Sequence, residues 1–244
     1  MKIEIGRTVF SEIPHKGKML TFVDLGEENT FYGGGNELES ENLGLPSSQH
    51  IVSLLHELWK NPKGKYERKM IPRLFFEYTR SIYVPKIPGE DLSDGYFIEH
   101  SPDMEDWSLI DRKGLVKKLE SGTRQVRSVI FSADEAVAFA PENRARTGLF
   151  NIPESFTTKG LINNDYILAR YGEEGEEKLR EIAKNYKGSH GVHLKLDDKE
   201  IVNLCSISSN GAGGITVFGD YIFKGPVDWD GNPIRIPTIG IVKT

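Results

Sequence analysis

The 244-residue chain carries 31 Lys and Arg against 36 Asp and Glu, a net charge of −5, and 38% of its residues are hydrophobic. With 12 Phe, 9 Tyr and 3 Trp it has the apolar material for a core, which excludes a disordered acidic tail. The negative total excludes a uniformly basic coat for nucleic acid or anionic membrane. Cys205 is the sole cysteine, so no intramolecular disulfide framework can form. Met1 to Arg7 holds three charged side chains and no signal-peptide core, and charged or proline residues interrupt every apolar stretch before it could span a bilayer. These features predict a soluble, cytoplasmic protein with no membrane partner.

The first 46 residues predict short β segments at Ile3–Ile5, Thr8–Phe10, Met19–Val23 and Thr30–Tyr32, divided by Gly, Pro and Asn. Ser47 and Ser48 offer an N-cap to a helix whose apolar residues Ile51, Val52, Leu54, Leu55, Leu58 and Trp59 share one face until Asn61-Pro62. Arg73 to Val84, rich in aromatic and β-branched residues, predicts a strand. Asp111 can cap a short helix that Gly122 ends, and Val126 to Phe131 predicts another strand. Ser132-Ala-Asp-Glu135 fits the capping box, which predicts a helix over Ala136 to Ala140. Two further helices are predicted, near Asn164–Tyr171 and over Glu173–Tyr186. Four strands close the chain, at Val192–Leu196, Glu200–Ile207, Ile215–Lys224 and Ile234–Val242, and the turns between them favour antiparallel pairing. The pattern predicts an α+β fold, mostly antiparallel sheet with about five short helices and β-rich at both ends. No repeat or linker divides it, so one domain over residues 1–244 is expected, with Gly122 the nearest thing to a boundary.

Charge is segregated along the chain. Residues 60–86 hold eight basic and two acidic side chains, residues 87–111 hold eight acidic and no basic ones, and residues 112–146 hold eight basic and four acidic ones. Such blocks stay solvated or meet a surface of opposite sign. In the first block Lys69 and Arg73 stand beside Tyr66, Phe75, Phe76 and Tyr78, the cation and aromatic mixture that suits single-stranded nucleic acid. The same aromatics also fit the buried face of a strand, with the charges on its wet face.

The polar segment Pro141 to Gly148 must be a loop and offers Asn143, Arg144 and Arg146 as donors for phosphate or carboxylate, with Arg124 and Arg127 upstream to join them. Glu99, His100 and Asp103 provide hard oxygen donors and an imidazole for a divalent metal, although their spacing fits no established motif. His190 and His193 begin a strand and point to opposite faces; His50 and His56, six apart on a helix, also diverge; His15 stands alone. The glycine clusters Gly33-Gly34-Gly35 and Gly211-Ala-Gly213-Gly214 lack the order of nucleotide-binding loops. Cys205, among Val202, Leu204 and Ile207, is expected to be a small buried hydrophobe.

Two functions follow. In the first, a phosphate-bearing ligand, nucleic acid or nucleotide, is bound by the Arg/Lys-rich face, and metal-assisted phosphoester chemistry would suit the residues if the chain is an enzyme. In the second, a non-enzymatic interaction or assembly protein uses its complementary charged blocks to form a homo-oligomer or meet a partner. Convergence of Arg124, Arg127, Arg144 and Arg146 on one cleft would favour the first.

Overall fold

The computed structural model describes residues 2–4, 7–60, 62–65, 67–71, 73–86, 92–100, 111–145, 148–149, 154–186, 190–194, 201–208, 216–221 and 235–243. In chain order these form β1 (Lys2–Glu4), β2 (Arg7–His15), β3 (Lys18–Asn29), α1 (Phe31–Ser40), β4 (Leu43–Gly44), α2 (Ser48–Lys60), α3 (Glu67–Met70), β5 (Leu74–Val84), β6 (Gly95–His100), α4 (Arg112–Glu120) and β7 (Arg124–Val126). They continue with β8 (Val129–Phe131), β9 (Val137–Pro141), β10 (Gly148–Leu149), β11 (Glu154–Phe156), α5 (Thr158–Ile162), α6 (Asp165–Ala183), β12 (His190–Leu194), β13 (Ile201–Ser208), β14 (Thr216–Tyr221) and β15 (Ile236–Val242). The fold is α+β. Among the described residues no helix is long and apolar enough to cross a membrane.

The strands make two sheets. The smaller runs β1-β2-β3-β15-β4, all antiparallel. The larger runs β10-β12-β14-β13-β5-β6-β9-β8-β7, with β11 beside β12. Its pairings are antiparallel except β10 with β12 and β12 with β14. The last strand leaves its sequence neighbours and joins the smaller sheet through β3, so the closing run of strands is divided between the sheets.

Helix α2 forms as its apolar spacing dictates and ties the layers together. Its Ile51, Val52, Leu54, Leu55 and Leu58 share one core with Phe10, Ile13 and Phe22 of the small sheet, Phe75 and Ile207 of the large one, and Ile167, Leu179 and Ile182 of α6. Burying each such side chain is worth about 1.5–3 kcal/mol. A second core, with Val23, Leu25, Phe31, Leu38, Phe76 and Tyr78, fills the other side of β5, which is why that strand is buried almost throughout.

Three local expectations are corrected. Thr30 to Tyr32 is no strand: Thr30 caps α1 by accepting from Gly33 N–H, and the glycine cluster lies inside the helix. Gly34 lets α1 approach the sheet, since a Cβ there would stand 3.1 Å from Tyr78 Oη and 3.4 Å from Thr238 Oγ1. Val126 to Phe131 is a hairpin turning at Arg127, where φ is +54°. The helix over Ala136 to Ala140 is β9: Ser132 Oγ and Asp134 Oδ1 accept from Val137 N–H and Ala136 N–H and close a turn instead of capping a helix. The two helices expected after Asn164 do form, and they meet at Gly172, where φ +69° breaks the helical backbone between them; α6 names the pair.

Candidate functional site

The β2–β3 hairpin carries the first site at its broad end. Thr8 and Phe10 of β2 and Asp24 and Gly26 of β3, with Lys69 and Met70 of α3 and the following Arg73, line a cavity of about 180 Å³. Phe10 and Met70 are buried and form an apolar floor. Asp24 Oδ1 accepts from Gly26 N–H at 2.9 Å. Burial raises its carboxyl above the usual range, a shift that the Gly26 bond and the Arg73 charge oppose. Arg73 also reaches Glu28, outside the lining, at 3.7 Å, so two cations and one carboxylate line the cavity.

The narrow end of the same hairpin holds a second polar cluster. Lys16 and Gly17, at φ +47° and +73°, turn the chain and bring His15 onto α2. The His15 and His50 rings lie 4.7 Å apart. His15 Nδ1 is 3.0 Å from Ser53 Oγ, which accepts from Lys178 Nζ at 2.8 Å. His50 makes the backward half of a capping box in place of the usual Glu or Gln, its Nδ1 accepting from Ser47 N–H at 3.1 Å. His100 on β6 lies 3.1 Å from Gln49 Nε2 and 3.3 Å from Thr79 Oγ1. Burial is the first cause that holds all three imidazoles down, His15 to about 4 and His50 and His100 to about 3, so they are neutral at physiological pH. Lys16 adds to the effect at each, Lys178 at His15, and Arg170 at His100.

A bulge in β5 builds the wall behind these groups. Leu204 pairs with Arg80 but Cys205 with Glu77, leaving Tyr78 and Thr79 outside the ladder. Tyr78 N–H instead donates to Pro46 O, and Ser48 N–H to Thr79 Oγ1, which fixes the start of α2 on the sheet. Beside it Arg170 of α6 bonds Glu77, Ser48 Oγ and Tyr166 Oη, with Arg170 and Glu77 fully buried.

Sequence reasoning treated His15 as isolated because its partners lie 35 or more residues away. His50 and His56 do diverge: His56 reaches Glu181 on the other side of α2. His190 meets Thr158 Oγ1 at 3.0 Å. Lys69 and Arg73 come together at the cavity. Arg127 and Arg144 converge on Asp165, at 3.0 and 3.8 Å, and Arg127 also bonds Ile162 O and Glu176. Asn143 is exposed on the adjoining turn. Arg124 instead pairs with Glu135 and Glu173. Glu99 pairs with Arg80, joining the basic and acidic blocks within the chain. Arg146, Asp103, the side chain of Cys205 and the cluster Gly211 to Gly214 lie outside the described residues. Among the described residues no group of three or more His, Cys, Asp or Glu has metal-holding geometry.

No protein-family profile and no curated protein matches the sequence. A solved structure described as "Accommodation of massive sequence variation in Nanoarchaeota by the C-type lectin fold" aligns over 84% of this chain and 92% of its own, at 12% identity and a TM-score of 0.47. The likeness is distant.

The phosphate reading is corrected here on the arrangement of charge. Arg124, Arg127 and Arg144 meet carboxylates of their own chain, and the cavity that holds Lys69 and Arg73 also presents Asp24, which a nucleic-acid phosphodiester, an acceptor only, would meet acceptor to acceptor. Arg80 and Glu99 also join one member of the basic block to one of the acidic block within the chain.

Proposed function

We propose that the chain is a binding protein for a small, neutral, hydroxyl-rich ligand, one sugar residue in size, taken up in the cavity between the β2–β3 hairpin and α3. The observation that carries this reading is the Asp24 carboxylate set opposite Lys69 and Arg73 over the apolar floor of Phe10 and Met70. A hydroxyl is donor and acceptor at once: it can donate to Asp24 while it accepts from a neighbouring cation. A ligand with several hydroxyls and no charge uses both kinds of group without leaving either unpaired, and its C–H face lies on the apolar floor. At about 180 Å³ the cavity is smaller than the roughly 300–1,000 Å³ typical of drug-sized sites, which suits a single residue.

Saturation-transfer NMR with a panel of neutral methyl glycosides and polyols tests the reading, with inorganic phosphate and a single-stranded oligonucleotide as comparators. At least one neutral ligand should bind saturably, and Asp24→Asn and Arg73→Ala should each weaken it ten-fold or more. Saturable binding of phosphate or oligonucleotide with none of the neutral ligands would overturn it.

A further inference from the structure

The β2–β3 hairpin is jointed. Phe10 pairs with Phe22 and Ile13 with Leu20, so β2 has one more residue than β3 across this step, and Glu12 takes up φ +61° there. This bulge separates the broad end, paired onward to β15, from a distal arm of residues 13–20. The arm is held by polar contacts at its tip. His15 meets Ser53 and the His50 ring, Lys16 N–H donates to Glu174 at 2.9 Å, Lys16 Nζ reaches Glu135 at 2.5 Å, and Lys178 Nζ donates to Pro14 O at 2.8 Å.

We propose that His15, His50 and His100 form an acid-operated latch that holds the distal arm of this hairpin against α2 and α6 at neutral pH and releases it on acidification. Each imidazole sits where a proton has no place. His50 Nδ1 already accepts Ser47 N–H, and His15 and His50 face each other. The charged groups packed against them are Lys16 from the turn, Lys178 and Arg170 from α6, and the carboxylates Glu174 and Glu135, which Lys178 and Lys16 occupy; Glu77 is occupied by Arg170. A second or third positive charge is therefore uncompensated. Release carries His15 and Lys16 into water and uncovers His50, whose ring His15 covers, which restores ordinary imidazole basicity. Protons thus bind the open form more tightly than the closed one and pull the equilibrium toward it. For each histidine that titrates on release, the opening constant should rise about 20-fold between pH 7 and pH 5.

Amide hydrogen exchange followed by mass spectrometry, corrected for intrinsic exchange rate, reads this without any ligand, so it stands apart from the cavity. Protection over residues 13–20 should fall at least about 20-fold from pH 7 to pH 5 and should lie below that of β5 and β9 at both. In His50→Gln, which retains an acceptor for Ser47 N–H, the fall should be about 20-fold smaller. An arm whose protection does not fall with pH, or equals that of β5 at both pH values and so opens only with the whole fold, would overturn the latch.

Discussion

Two polar regions lie at opposite ends of one hairpin and differ in whom their groups serve. Behind the narrow end, Arg170, Glu77, Ser48, Thr79 and the imidazoles bond one another across α2, α6, β5 and β6. At the broad end, Asp24, Lys69 and Arg73 line an open cavity, tied to the chain only by the Gly26 bond and a 3.7 Å approach to Glu28 among the contacts seen. Polar groups satisfied by their own chain build the fold; polar groups gathered round a space and left facing it are available to a ligand.

Substitution should separate the two. The largest effect is expected at Arg170→Ala, which strands Glu77 without its counter-charge in a site from which water is excluded and should cost about 3–5 kcal/mol in chemical denaturation. Ligand affinity at neutral pH should be unchanged in whatever fraction remains folded. Acid comes next. Because His15, His50 and His100 are held below their unfolded value near 6.5, their stabilising neutrality is fully present above that pH and is lost as pH falls toward about 3 to 4. Unfolding free energy should decline by up to about 1.4 kcal/mol per pH unit for each of the three. A denaturation series from pH 7 to pH 4.5 that stays flat would show that these imidazoles are not neutral partners in the fold. Thr30→Ala, which removes the side-chain cap of α1, should cost about 1 kcal/mol by the same measurement. Smallest of all on stability is Asp24→Asn, within about 0.5 kcal/mol. It is also the change that should abolish ligand binding, and finding it strongly destabilising would place the cavity among the self-satisfied regions.

What the sequence made legible was local. Helix α2 followed from apolar spacing, α4 from Asp111, which does accept from Gly114 N–H, and β5 from its aromatics. What misled was also local. Ser132 to Glu135 has the residues of a capping box, but Val137 and Phe139 enter one core while Ala138 and Ala140 enter another, a two-sided burial that only a strand gives. Helix α1 was hidden because three glycines argue against a helix until Tyr78 and Thr238 require the close approach. The histidine cluster was invisible for a different reason: positions 15, 50 and 100 belong to three elements, and no spacing rule spans them. Lys69 and Arg73 were singled out from charge, while Asp24, which decides what they can hold, lay 45 residues away.

Gly172 has a mechanical consequence. It divides α6 into two rods joined by a swivel, since the helical hydrogen-bond ladder does not run through a residue at φ +69°, ψ 177°. The first rod is bolted to the large sheet by Arg170; the second carries Glu174 and Lys178, the handholds of the hairpin. The hairpin tip and the Arg170–Glu77 pair are therefore held by different rods.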